Sequence, residues 1–134
     1  MELYKITYKD LARNKEIKEY FDNKESCNIR KEFLRSYPKG CFGTITTETL
    51  SDFYAVNYSK LGTDKVPDKW AFGEVIRYKE VGKWYEEYPE FCETLKDAFA
   101  IVEDKKKITN RAYGKFSIHE YKNGEQVSIV YKEE

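Results

Sequence analysis

The residue types most often used in catalysis are sparse in this chain, which has one histidine, His119, and three cysteines, Cys27, Cys41 and Cys92. A cysteine nucleophile needs a base within hydrogen-bonding reach, so His119 would have to pair with Cys41 or Cys92. The sequence places Cys92 beside the buried side of a helix and Cys41 at the entrance of a strand. Neither lies at a helix N-terminus, where a thiolate is stabilised. We therefore expect a non-catalytic protein, with a Cys/His-based activity as the third hypothesis, and we expect His119 to lie on a sheet surface facing Ser128.

Cofactor and metal motifs are absent from the sequence. The cysteines are widely spaced and form no CxxC pair, so no ligand spacing indicates zinc. The seven glycines are scattered and form no phosphate-binding loop. There is no GxSxG elbow and no HExxH helix. Carboxylates are plentiful enough for a glycosidase-like acid/base pair, but equal numbers of acids and bases are typical of a solvated surface. We expect neither a metal nor a cofactor.

Acidic residues are concentrated in one part of the chain. Between Glu80 and Asp104 there are eight acidic residues and two basic ones. A helix that begins near Pro89 would carry carboxylates on one side and apolar residues on the other, at about 100° per residue. Complementary charge speeds encounter and suppresses wrong partners, so this side of the helix predicts docking on a basic protein. The predicted acidic face comprises Glu86, Glu87, Glu90, Glu93, Asp97, Ile101 and Asp104.

The first functional hypothesis is therefore a non-catalytic, intracellular protein-binding module. The chain is similar in type to small phage or mobile-element proteins that bind and block host factors, a likeness that covers no specific motif. It implies an inhibitor that docks its acidic face on a basic host protein. A solvated helix face explains the same charge pattern without any partner, because first-turn carboxylates favour the positive end of the helix dipole.

Basic residues are concentrated in the segment that follows. From Lys105 to Lys115 there are five bases and no acid. The alternative hypothesis is nucleotide or single-stranded nucleic-acid binding, with bases stacked on an aromatic sheet face and phosphates met by lysines. A formal net charge of +0 argues against tight non-specific binding of nucleic acid. The residues of this second set are Lys105, Lys106, Lys107, Arg111, Tyr113, Lys115, His119 and Tyr121.

The N-terminal third of the chain predicts one strand and two helices. Residues 3–8 alternate in polarity, as a strand with one buried face does. Asp10 is a suitable N-cap for a helix that ends near Phe21, and Ser26 is a second cap. The predicted apolar stripe of the second helix is Ile29, Phe33 and Tyr37.

Three strands, a loop and a helix follow in the central part. Residues 41–47 and 52–59 have high β-propensity and predict neighbouring antiparallel strands. Turn-forming residues indicate a long loop over 61–69, and alternation over 70–81 predicts a further strand. The helix then begins near Pro89, a residue type suited to the first turn. Its predicted buried stripe is Phe91, Leu95, Ala98, Phe99 and Val102.

The C-terminal segment predicts a β-hairpin. Residues 112–122 and 125–132 flank an Asn-Gly pair, which is favoured in a two-residue type I′ turn because both positions need positive φ. An uninterrupted ladder from this turn would place specific residues opposite each other. The predicted pairs are Ile118 with Ile129, Phe116 with Tyr131, and Glu120 with Val127.

These elements predict a single compact α+β domain over residues 1–134. Its order is β-α-α-β-β-β-α-β-β, with a mostly antiparallel sheet of about five or six strands and helices packed on one face. No stretch approaches the roughly 18 apolar residues of a membrane span. The odd cysteine count and the absence of a signal peptide indicate a reduced, cytoplasmic protein. The last strand could form a sheet edge, so a homodimer through the hairpin is a further prediction.

Overall fold

A computed structural model of the protein describes residues 1–69, 75–108 and 112–133. The described strands are β1 (Leu3–Asp10), β2 (Lys15–Phe21), β3 (Thr46–Leu50), β4 (Phe53–Lys69), β5 (Val75–Glu86), β6 (Glu90–Cys92), β7 (Tyr113–Lys122) and β8 (Glu125–Lys132). The described helices are α1 (Lys24–Arg35) and α2 (Leu95–Lys106). The prediction of an α+β fold with antiparallel pairing is confirmed. The strands, however, form two sheets rather than one.

The smaller sheet has three strands in the order β2-β1-β3, and α1 packs on it. The prediction of a helix from Asp10 to Phe21 is wrong, because residues 15–21 form β2 and pair with β1. The Asp10 carboxylate does accept backbone hydrogen bonds from Ala12 and Arg13, as a cap would. It does so in a tight turn that reverses the chain, which is the other common use of an aspartate of this kind.

The larger sheet has the strand order β5-β4-β7-β8, and β6 also pairs with β4. Residues 61–69, predicted as a long loop, instead belong to β4 and pair with β5. Pro67 has no N–H to donate to a neighbouring strand, so it is tolerated where β4 is paired along one edge only. Among the described residues β5 is the only partner at that point. Of the strand predicted over 70–81, residues 75–81 lie in β5, and 70–74 fall outside the described residues.

Helix α2 covers one side of the larger sheet, and its start differs from the prediction. Thr94 is the N-cap and accepts a hydrogen bond from the Asp97 amide, so the helix begins at Leu95. The segment just before it is strand β6, whose pairing with β4 overrides the helical pattern. Of the predicted stripe, Ala98 and Val102 are buried in the core, whereas Leu95 and Phe99 are exposed and Phe91 lies on β6. This core also contains Val56, Phe116 and Ile118.

The C-terminal hairpin forms with the predicted turn. Asn123 and Gly124 both have positive φ, of 52° and 78°. The predicted register is wrong, because two irregularities in the β7–β8 ladder each shift the pairing. The observed pairs are Ile118 with Tyr131, His119 with Ile129, and Glu120 with Ser128. No helix among the described residues is long and apolar enough to cross a membrane.

Candidate functional site

The predicted acidic face does not form one helical stripe. Glu86 ends β5, Glu87 follows it, and Glu90 lies on β6. Only Asp97, Ile101 and Asp104 lie on α2, because the helix begins after the first four members of the set. Asp97 and Asp104 are exposed, as predicted for a solvated or docking surface. Ile101 is half-buried: it packs against the core of the larger sheet and is less exposed than predicted, but it also lines a cleft.

Glu93 joins the two sheets. Its Oε2 lies 2.7 Å from Nζ of Lys5 on β1 and accepts a hydrogen bond of 2.8 Å from the Tyr20 hydroxyl on β2. Burial raises the pKa of the Glu93 carboxyl, but the bonds from Lys5 and Tyr20 more than offset this, and the pKa lies below its usual value. Both neighbours belong to the smaller sheet, so Glu93 has a structural role that no sequence pattern indicated.

Glu90 is held inside a small cationic and aromatic cluster. Its Oε2 lies 3.7 Å from Nζ of Lys105. That ammonium also lies over two rings, 5.4 Å from the centre of Tyr58 and 5.2 Å from that of Tyr113. Burial, together with the nearby Glu90 carboxylate, raises the pKa of the Tyr58 hydroxyl. Lys105 and Tyr113, members of the second predicted set, thus contribute to internal contacts.

A cleft of about 630 Å³ lies between the two sheets. One wall is formed by β2 and the start of α1, and the other by β6, the residues before it and α2. The cleft is lined by Lys18, Glu19, Tyr20, Phe21, Asp22, Ser26, Tyr88, Pro89, Glu90, Phe91 and Ile101. It brings Glu90 and Ile101 of the predicted acidic face together with aromatic side chains. Tyr88 is 76% exposed at its rim.

The outer side of α1 is an exposed apolar surface. The predicted stripe faces solvent, since Ile29, Phe33 and Tyr37 are 61%, 50% and 45% exposed. The helix instead buries Cys27 and Leu34 against the smaller sheet. The helix is apolar on two sides, and the periodicity alone does not show which side packs on the sheet.

This exposed stripe and the cleft are neighbours. A shallow hollow on α1 is lined by Ser26, Ile29, Arg30 and Phe33. Because Ser26 also lines the inter-sheet cleft, the two surfaces are continuous. Arg30 lies 5.2 Å over the Phe33 ring and pairs with Glu19 at 2.7 Å, which holds one edge of this surface in place.

The remaining members of the second set are spread over different surfaces. Lys106 pairs with Glu133 at 2.6 Å, Lys107 caps the end of α2, and Lys115 lies over the Trp84 ring. Tyr121 stacks on Phe53, with ring centres 4.7 Å apart. Tyr113 packs against the α2 side of the larger sheet, whereas His119 alternates with the buried Ile118 and faces the other side. Arg111 lies outside the described residues.

Lys115 and His119 share a second groove, which lies on the side of the larger sheet opposite α2. Its volume is about 510 Å³. Nε2 of His119 is 2.9 Å from the Ser117 hydroxyl, and among the described residues its buried Nδ1 has no hydrogen-bond partner. The groove is lined by Asn57, Tyr58, Ser59, Glu86, Glu87, Pro89, Lys115, Ser117, His119, Ile129 and Lys132.

The cysteines are free thiols. Burial raises the pKa of Cys92 to about 12 and also raises the pKa of Cys27, so both stay protonated near neutral pH. Cys92 lies on the α2 side of the larger sheet and His119 on the other, so the sheet separates them. In the described part of the chain, no group of three or more histidine, cysteine or acidic side chains is arranged to hold a metal ion.

Comparison with known proteins gives no family assignment. No family model matches the chain, and no similar protein is found among the curated proteins or the solved structures. The functional conclusion therefore depends on the geometry of the described surfaces.

Proposed function

We propose that the protein is a non-catalytic binding module that docks a basic segment of a partner protein. The surface concerned, called the docking face below, comprises Phe21, Ser26, Ile29, Phe33, Tyr88 and Ile101. The observation that carries the proposal is the continuity of the exposed α1 stripe with the inter-sheet cleft. It deepens the sequence-based hypothesis of a basic partner and moves its centre from α2 to the space between the sheets.

The apolar character of the docking face supports a protein partner. A contiguous apolar patch with a polar rim is typical of an interaction site. Aromatic side chains in such patches often carry most of the binding energy, because they bury a large, rigid area. Tyr88, at 76% exposure, and Ile29, at 61%, have most of their surface still to bury. An aliphatic or aromatic side chain of the partner could fill the cleft between them.

The charges of the cleft support a basic partner. Three carboxylates and one ammonium, that of Lys18, line it. Glu19 is already paired with Arg30, and Glu90 lies beside Lys105, which leaves Asp22 as the third carboxylate. An arginine of the partner could pair with Asp22 and lie over the Tyr88 ring, an arrangement that desolvation strengthens.

The biological role that follows from this proposal is inhibition. A module that occupies the basic surface of another protein blocks the contacts which that surface normally makes. This role fits the small proteins that phages and mobile elements use against host factors. The free thiols fit a reducing compartment, and we place this action in the cytoplasm.

An affinity capture from native lysate, with and without nuclease, tests the proposal. Wild-type protein should retain a stoichiometric protein with a basic surface after nuclease treatment. Tyr88→Ser and Ile29→Ser should each weaken its retention at least about fivefold, because each removes an exposed apolar anchor. Val127→Ser is the matched control: this side chain is 54% exposed but lies on β8 at the far edge of the larger sheet.

Two results would contradict the proposal. One is a captured partner that the Tyr88 and Ile29 variants retain as well as the Val127 variant does. The other is the recovery of nucleic acid alone, which would favour the alternative hypothesis of nucleotide or single-stranded nucleic-acid binding.

A further inference from the structure

We propose that the groove opposite α2, called the polar groove below, binds a small zwitterion with an aliphatic middle. The expected ligand class is an amino acid whose ammonium and carboxylate are separated by several carbons. The polar groove and the inter-sheet cleft both reach Pro89, but the residues on which this inference depends lie outside the docking face, and it does not depend on the docking proposal. Its basis is the order of the strands, which separates charges of opposite sign across the groove.

The floor of the polar groove is formed by hydrogen-bonding side chains. Asn57 and Ser59 come from β4, and Ser117 and His119 come from β7. Ser59 is only 8% exposed, so a polar side chain is buried at this position. Because β4 and β7 are adjacent, these four side chains lie together in the middle of the sheet. A floor of this kind can orient a polar ligand.

The walls of the polar groove have opposite charges. Glu86 and Glu87 stand on the β5 side, and Lys115 and Lys132 stand on the β7–β8 side. With strands about 4.8 Å apart, the backbones of β5 and β8 are about 14 Å apart across β4 and β7. The side chains narrow this gap. The Lys115 ammonium is held 5.4 Å over the Trp84 ring.

These four charges are not neutralised by each other. In the part of the chain that the structure describes, no ion pair joins Glu86 or Glu87 to Lys115 or Lys132. A simple anion in the groove would be attracted by the lysines and repelled by the glutamates, and a simple cation would meet the reverse. A zwitterion satisfies both walls. Ile129 and Pro89 provide apolar contacts for the carbon chain between its charges.

Binding fits this site better than hydrolysis. The hydrogen bond between Ser117 and His119 resembles a nucleophile–base pair, which normally needs a third group to orient the imidazole. Among the described residues the other ring nitrogen, Nδ1, has no such partner. Its burial without a hydrogen bond is unfavourable, and no residue in the described part of the chain orients the imidazole as a base would require.

The only histidine of the chain supplies the test, because its imidazole proton resonances are resolved in a one-dimensional NMR spectrum. The protein is titrated with glycine, β-alanine, γ-aminobutyrate and ε-aminocaproate, and separately with acetate and methylammonium. We expect a saturable shift of the His119 resonances with one of the longer zwitterions. Acetate and methylammonium should produce no saturable shift at the same concentrations.

Charge-removing variants then locate the two ends of the ligand. Lys132→Gln and Glu87→Gln should each raise the dissociation constant at least about fivefold. Lys96→Gln and Glu103→Gln, exposed on α2 on the other side of the sheet, should leave it unchanged. The proposal is overturned if acetate binds as tightly as the best zwitterion, if no zwitterion gives a saturable shift, or if the α2 variants weaken binding as much as the groove variants.

Discussion

The Nζ atom of Lys5 lies 2.7 Å from Oε2 of Glu93, and this ion pair joins the two sheets of the protein. Lys5 is on the central strand of the smaller sheet, and Glu93 lies between the last strand before α2 and the helix itself. The Lys5 side chain is only 10% exposed, so its charge depends on this carboxylate for compensation. The same carboxylate accepts a hydrogen bond from the Tyr20 hydroxyl, which connects β2, one wall of the inter-sheet cleft, to the residue that follows β6.

Glu93→Gln should lower the free energy of unfolding by about 2 kcal/mol, because it leaves the Lys5 ammonium buried without its main counter-charge. Urea unfolding measures the change. Glu48→Gln is the matched control, since Glu48 lies 4.0 Å from the same ammonium but is 64% exposed. An exposed pair of this kind contributes little, and its loss should change stability by less than about 0.5 kcal/mol. Equal losses in the two variants would contradict the structural role of Glu93.

Stability should fall in acid as two carboxyls become protonated. Burial raises the pKa of Glu93 and of Glu19, but hydrogen bonds outweigh it, from Lys5 and Tyr20 to Glu93 and from Arg30 and Tyr8 to Glu19. Both pKa values therefore lie below the ordinary value of 4.5, and the unfolded chain binds more protons than the folded chain in this range.

The stabilisation is present above pH 4.5 and is lost as the pH falls through the lower folded-state values. Urea titrations at stepped pH should show this decline in the wild type. In Glu93→Gln the decline should be shallower, because one of the two groups no longer titrates. An identical slope in the two proteins would mean that Glu93 does not contribute.

Sequence patterns predicted the parts of this fold whose causes are local. The turn at Asn123 and Gly124 follows from the residues that tolerate positive φ, and the structure has both in that conformation. The start of α2 was missed because the residues after Pro89 fit a helix by periodicity. Their pairing with β4, which is distant in sequence, makes them a strand instead.

The candidate surfaces were predicted less well, for the same reason. A helical projection treats Glu93 as a surface acid, since it does not include Lys5 and Tyr20 on the other sheet. The two apolar sides of α1 are equivalent in a projection, and only the position of the smaller sheet decides that Leu34 is buried and Phe33 exposed. The charges of the polar groove come from three strands whose order no local pattern specifies.

The two sides of α1 should respond differently to truncation. Leu34→Ala removes a side chain that is 3% exposed, and it should lower the free energy of unfolding by about 2–5 kcal/mol. Phe33→Ala removes a half-exposed ring that contacts Arg30 and Tyr37, and it should change stability by less than about 1 kcal/mol. Thermal or urea unfolding distinguishes the two. A larger loss at Phe33 than at Leu34 would mean that the side of α1 carrying Phe33 packs on the smaller sheet. The outer stripe would then not belong to the docking face.

Gly124→Ala should lower the free energy of unfolding by more than the positive φ of residue 124 alone would. Its φ of +78° is unfavourable for an alanine, which gives a loss of about 1–2 kcal/mol. A Cβ at this position would also lie 2.8 Å from the Met1 carbonyl oxygen, a backbone atom, so residue 1 or the hairpin turn would have to shift. Gly40→Ala separates the two effects, because Gly40 has a φ of +97° and nothing within 4 Å of the added carbon. Urea unfolding of both variants should therefore show the greater loss for Gly124→Ala. Equal losses would mean that the N-terminal residue moves away without cost, and that its contact with the hairpin turn does not stabilise the fold.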